Sequence, residues 1–178
     1  MLHKLLMNKS YMNLKKYFLP IFIILALSLS RLIPHPWNFT PMIAVSIFSG
    51  FYFRQFFIAS FIVILPMFIG DLYLGFHSTM IFVYLSLSLI VAIGFFIKSF
   101  KFKEILFSGL ISSLCFFLIT NFGAWLTLSM YEKNFAGLIN SYVLAIPFFH
   151  NTLLSTFIYL FLMKVIIDIS LKRKISLI

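Results

Sequence analysis

Long apolar stretches separated by short polar segments dominate the chain. The apolar segments fall near residues 17–33, 41–53, 56–74, 79–97, 105–130 and 152–170, with a further apolar piece at 135–149. A membrane-crossing helix needs about 20 apolar residues to span roughly 30 Å of hydrocarbon. The pattern therefore predicts an all-α integral membrane bundle of six transmembrane helices. Because the 41–53 segment is short, we expect it to be tilted, extended into its flanks or buried by its neighbours.

The basic residues lie mostly at one set of helix ends. With six crossings, one side of the membrane holds every lysine and arginine except Arg31 and Lys133. Cytoplasmic loops carry an excess of basic residues, so both termini are predicted to be cytoplasmic. A seventh crossing at 135–149 would place the Lys172-Arg173-Lys174 cluster outside. We therefore interpret 135–149 as an outer-leaflet half-helix or re-entrant segment that ends at Pro147.

The N-terminal segment resembles the charged region of a signal peptide. The apolar run that follows is long for a signal core, and Arg31 and Pro34 make a poor cleavage context, which favours an uncleaved first transmembrane helix. The predicted organisation is a basic cytoplasmic segment at 1–16, one transmembrane domain at 17–170 and a basic cytoplasmic tail at 171–178. We expect a multi-pass protein of the cytoplasmic (inner) membrane.

The composition fits a membrane protein and not a soluble domain. Sixty-two per cent of the residues are hydrophobic and 10% are charged. The net charge of +10 is typical of nucleic-acid binding only where a soluble fold presents a basic face. Here the basic residues cluster at the ends of apolar runs, so no nucleic-acid partner is predicted. The single cysteine, Cys115, cannot form a disulfide within the chain.

Polar side chains converge on the predicted extracytoplasmic ends of four segments. These segments are the 31–41 loop, the end of the third helix at 70–77, the upper part of the fifth at 121–125, and the start of the sixth at 150–152. Polar groups at membrane depth are costly unless they line a cavity or pair with one another. The sequence thus predicts an outward-opening solute pocket. The candidate ligand-binding residues are Arg31, His35, Trp37, Asn38, Asp71, His77, Asn121, Trp125, His150 and Asn151.

Several of these residues have a structural alternative. In the pocket, Asp71 would hold a cationic or hydroxyl group, but it could also form a salt bridge with Arg31. Asn121 could instead bond a neighbouring helix, and Trp125 could be an interfacial belt residue. Thr40 precedes a proline and is favoured as the N-cap of the second helix. The sequence leaves these alternatives open.

Motifs for catalysis and nucleotide binding are missing. The sequence has no P-loop, GxGxxG, HExxH or GxSxG pattern. We predict no enzyme activity, no cofactor and no metal. A metal-dependent membrane enzyme is the least favoured alternative, and it would need His35, His77 or His150 to gather with Asp71 around one point.

The chain resembles a family of small uncharacterised bacterial membrane proteins with an R-L-x-P-H-P-x-N-F-T-P signature. The resemblance covers about Arg31 to Tyr159. Trp37 stands where the family commonly has a third proline. The resemblance rests on Arg31-Leu-Ile-Pro-His-Pro-Trp-Asn-Phe-Thr-Pro41, Phe48-Ser-Gly50, Asp71…Gly75-Phe-His77, Thr120-Asn-Phe-Gly-Ala-Trp125 and Ile146-Pro-Phe-Phe-His-Asn-Thr152.

That family is similar in size and helix number to the substrate-binding S components of energy-coupling-factor (ECF) vitamin transporters. The resemblance implies a lid loop at Pro34–Thr40, a vitamin-like polar or aromatic solute, and docking to a transmembrane coupling subunit with ATPases. Membrane lipid is a further predicted partner. A structural scaffold of the cell envelope is the alternative. A scaffold would fill its core, whereas a solute-binding protein keeps a cavity of roughly a few hundred Å³.

Overall fold

The structure, a computed structural model, describes residues 17–175 and the side chains of residues 17–169. The predicted N-terminal segment at 1–16 and the last residues of the predicted tail lie outside the described residues. Within the described part the fold is all-α and has no strand, which confirms the predicted class. The helices are α1 (Tyr17–Leu32, ending in the 3-10 turn Ser30–Leu32), α2 (Met42–Phe53), α3 (Phe56–Leu74), α4 (Met80–Phe95), α5 (Phe102–Thr127), α6 (Phe135–Val143) and α7 (Ile146–Ile175).

Three helices are long and apolar enough to cross a membrane. They are α3, α5 and the part of α7 at Ile146–Ile169. The shorter helices α1, α2 and α4 are also apolar. Helix length therefore supports three membrane crossings and does not confirm all six.

Helix α2 forms the centre of the bundle. Every residue from Met42 to Gly50 is buried, and the helix packs against α3, α4, α5 and α7. Its 12 residues are only about 18 Å long at 1.5 Å per residue. Burial by its neighbours, one of the arrangements expected for the 41–53 segment, is therefore found.

The backbones of α2 and α4 touch where two glycines meet. A Cβ atom on Gly50 would overlap the carbonyl oxygen of Val91, and one on Gly94 would overlap that of Ile47. Only a residue without a side chain allows such an approach. Gly50 and Gly94 thus serve close packing inside the bundle.

Two predicted helix boundaries are wrong. Pro41 itself is the N-cap of α2 and no side chain caps that helix, so Thr40 does not have the expected role. Pro147 does not end the 135–149 segment, because α6 ends at Val143 and the proline lies in the first turn of α7. An amide there has no partner within the helix, so proline is tolerated. Helix α7 continues to Ile175, which makes residues 171–175 of the predicted tail helical.

Candidate functional site

A cavity of about 860 Å³ opens at the end of the bundle where the α1–α2 loop meets the α3–α4 connection. The Arg31–Thr40 loop supplies much of the lining. The walls come from α2, α3, α4, α5 and α7, through residues such as Met42, Met67, Val83 and Phe116. Distant parts of the sequence thus converge on one concave site, as the polar pattern predicted.

Six of the ten predicted ligand-binding residues line this cavity: Arg31, His35, Trp37, Asn38, His77 and Asn121. The other four do not line it. Asp71 is buried beside Arg31, and His150 is exposed. Trp125 forms a hydrogen bond with the α5–α6 connection, and Asn151 forms one with the α1–α2 loop. The role of all ten in binding a ligand stays a prediction.

The carboxylate of Asp71 is used by the protein itself. The residue is 1% exposed, and its Oδ1 lies 2.8 Å from Nη2 of Arg31. Its Oδ2 accepts a hydrogen bond of 2.6 Å from the hydroxyl of Tyr84. Arg31 also donates to the carbonyl oxygen of Met67 at 3.2 Å. The salt-bridge alternative is therefore present, and this Arg31–Asp71–Tyr84 cluster joins the end of α1 to α3 and α4.

The cluster determines the electrostatics of the cavity. Among the described residues that line it, none carries a carboxylate. The Arg31 side chain is 13% exposed, and its charge is compensated by Asp71. The remaining polar lining consists of amides, hydroxyls and imidazoles, including Asn38, Thr79 and Asn121. Such groups suit a solute that forms hydrogen bonds and carries no net charge.

A few hydrogen bonds hold the Arg31–Thr40 loop at the cavity mouth. Nδ1 of His35 lies 2.6 Å from the carbonyl oxygen of Ile33. Asn38 has a left-handed backbone with φ of 59°, which asparagine tolerates better than most residues. The side chain of Asn151 on α7 donates to the carbonyl oxygen of Trp37 at 3.0 Å. The Trp37 side chain lies at the rim of the cavity and is 80% exposed.

Local hydrogen bonds position three further residues that were predicted to bind the ligand. Asn121 donates to the carbonyl oxygen of Phe117 at 2.8 Å, so it bonds its own helix and not a neighbouring one. Nδ1 of His77 lies 2.8 Å from the hydroxyl of Thr79, at the start of α4. The indole of Trp125 donates to the carbonyl oxygen of Glu132 at 2.9 Å. The first two face the cavity, and the third fastens the α5–α6 connection.

Sequence reasoning missed several lining residues. Thr152 belongs to the polar segment 150–152 and Thr120 precedes Asn121, but neither was among the ten candidates. The apolar lining gave no signal, because Val83 or Phe116 has the same residue type as the bundle core. Tyr84 also gave none, since its partnership with Asp71 depends on how two helices pack.

A metal site would require histidines close to Asp71. In the described part of the chain, no such group of side chains is found. No group of three or more His, Cys, Asp or Glu side chains there is close enough to hold a metal ion.

Comparisons with known proteins place the chain at the level of a family. No curated protein and no solved structure matches it. An uncharacterised family is what the sequence resemblance predicted, whereas similarity to S components stays a prediction. The match to the Family of unknown function (DUF6580) extends over residues 12–176, and the chain belongs to this family.

Proposed function

We propose that the protein is an integral membrane protein that binds a small, uncharged polar or aromatic solute from the extracytoplasmic side. The observation that carries this proposal is the cavity of about 860 Å³ beneath the Arg31–Thr40 loop. Ligand pockets commonly measure roughly 300–1,000 Å³ and combine apolar walls with a few polar groups. The cavity fits both criteria.

The membrane placement is supported by the outer surface of the bundle. Large apolar side chains are exposed along α3, α5 and α7, among them Phe57, Phe61, Phe107 and Leu154. Such a surface is unfavourable in water and suits lipid. We infer that α1, α2 and α4 also cross, because burial shields α2 from lipid and the cavity shortens the distance it must cover.

The orientation follows from charge. Arg54, Lys98 and Lys103 belong to the bundle end opposite the cavity, and basic residues favour the cytoplasmic side. The cavity then opens to the extracytoplasmic side, and both termini are cytoplasmic.

The solute class follows from the lining. A cationic solute would need a free carboxylate, but Asp71 is occupied by Arg31 and Tyr84. Hydroxyl, amide and imidazole groups remain to hold a polar molecule. The exposed indole of Trp37 offers a stacking surface at the rim.

An S-component-like role is the finer part of the proposal. It is supported by the size of the bundle, the cavity at the proposed outer face and the loop over its mouth. Such a role requires that a transmembrane coupling subunit and ATPases co-purify with the protein from native membranes. Recovery of the protein alone would remove this part and leave solute binding in place.

A scaffold is the second candidate function, and the Arg31–Asp71–Tyr84 cluster favours it. A buried ion pair and a hydrogen bond that together join three helices are what a rigid structural protein needs. The large cavity argues against it, since a scaffold has no use for an open interior.

Native mass spectrometry tests solute binding. The full chain is released gently from native membranes, and co-bound small-molecule mass is measured. Ala124→Phe, in the cavity wall, should abolish that mass, because the ring occupies the solute volume. Ala136→Phe, on the exposed surface of α6, is the matched control and should retain it. A wild-type protein that carries no small molecule, together with co-purifying envelope proteins, would favour the scaffold.

A further inference from the structure

A second cavity lies at the opposite end of α4 and α5. It measures about 540 Å³ and is formed by the end of α4, the connection at 96–101 and the first turns of α5. Its walls are mainly apolar: Ile97 is buried, Ile93 is half-buried, Ile111 is partly exposed, and two strongly exposed rings, Phe96 and Phe107, lie at its edges. Nothing in the proposed solute site uses this cavity.

Two lysines, Lys98 and Lys103, belong to the lining. Neither forms an ion pair within the described residues, where the ion pairs are Arg31–Asp71 and Lys164–Asp168. Glu104 also lines the cavity, but its carboxylate accepts hydrogen bonds from the amides of Lys98 and Ser99, at 2.7 and 2.9 Å, and from the hydroxyl of Ser99, at 2.8 Å. These bonds fix the connection and leave both ammonium groups available.

A third positive charge lies beside the cavity. Arg54 donates to the carbonyl oxygen of Phe95, and its Nη2 donates to that of Ile97 at 2.5 Å. Its left-handed backbone ends α2 and turns the guanidinium to the end of α4. The rim is therefore basic while the interior is apolar.

We propose that this cavity binds an anionic phospholipid, with an acyl chain between α4 and α5 and the phosphate beside Lys98 and Lys103. The inference rests on the membrane placement proposed above, but not on solute binding. Basic pockets between helices on the cytoplasmic side of membranes are suited to anionic headgroups. A free phosphate would leave the apolar walls in contact with water, so the lipid is the better occupant.

The test is a titration of the full chain, purified and delipidated, with phosphatidylglycerol and with phosphatidylcholine, read by native mass spectrometry. Wild-type protein should prefer the anionic lipid. Each lysine near a membrane surface contributes about 1 kcal/mol, so Lys98→Gln/Lys103→Gln should weaken phosphatidylglycerol binding roughly thirtyfold. Binding of phosphatidylcholine should not change.

Lys101→Gln is the matched control, because it removes the same charge from the same connection but lies outside the lining. It removes one charge and not two, so it should weaken binding by at most about fivefold, the effect of about 1 kcal/mol. The inference is overturned if the double variant keeps wild-type affinity, if Lys101→Gln weakens binding equally, or if millimolar inorganic phosphate displaces the lipid. A protein recovered from cells in the soluble fraction would overturn the membrane placement as well.

Discussion

Helices α2 and α4 touch at one end and line a cavity at the other. Near the proposed cytoplasmic side their backbones meet at Gly50 and Gly94, with no room for a methyl group. Near the opposite side, Met42 of α2 and Val83 of α4 are walls of an 860 Å³ cavity. Both ends are apolar, so hydrophobicity does not distinguish a filled core from a hollow one. The difference arises from residue size at one end and from the Arg31–Asp71–Tyr84 cluster and the loop at the other.

The largest expected effect comes from breaking the Arg31–Asp71 ion pair at the cavity end of the bundle. Asp71→Asn should lower the free energy of unfolding by about 3–5 kcal/mol, because it leaves the partly buried charge of Arg31 without a partner. Thermal unfolding in detergent measures this loss. Arg31→Gln/Asp71→Asn, neutral at both positions, should recover much of it.

The opposite outcome would redefine Asp71. If Asp71→Asn keeps its thermal midpoint and loses only the co-bound solute, the carboxylate is a ligand-binding group and not a structural one.

A smaller effect on stability is expected at the end where α2 and α4 touch. Gly94→Ala should destabilise the protein by about 1–3 kcal/mol, because the added methyl group overlaps the backbone of α2 at Ile47. Gly70→Ala is the control. It lies within a helix, and a Cβ there would make only ordinary contact with Arg31, at 3.5 Å, so stability should stay the same or rise by up to about 1 kcal/mol. Equal stability of the two variants would show that the helix contact is not tight.

The smallest effect concerns the loop over the cavity. Asn151→Ala removes the hydrogen bond to Trp37 and should cost about 1 kcal/mol or less. Its main consequence should be faster hydrogen exchange at residues 37–40, where the Phe39 amide bonds to Pro36. Asn140→Ala, on the exposed surface of α6, should leave that exchange unchanged. Unchanged exchange in Asn151→Ala would mean that α7 does not hold the loop.

The sequence predicted the helices and the region of the site better than their details. The apolar stretches located each helix in the part of the chain that the structure describes, and the polar residues of four segments indicated the cavity end. The termini of α2, α6 and α7 were wrong, because proline is compatible both with ending a helix and with the first turn of the next. The partnership of Tyr84 with Asp71 could not be predicted, since it depends on the register of α3 against α4.

The most direct test of the account is the accessibility of its two ends from outside the cell. Single cysteines are introduced at Thr120, in the cavity wall, and at Ser112, buried two turns closer to the other end, in a Cys115→Ser background. Intact cells are then treated with a membrane-impermeant maleimide. The account predicts that Thr120→Cys is labelled and that Ser112→Cys is not. Two results would contradict an outward-opening cavity that is closed toward the cytoplasm. One is labelling of Thr120→Cys only after the cells are opened, and the other is equal labelling of both cysteines.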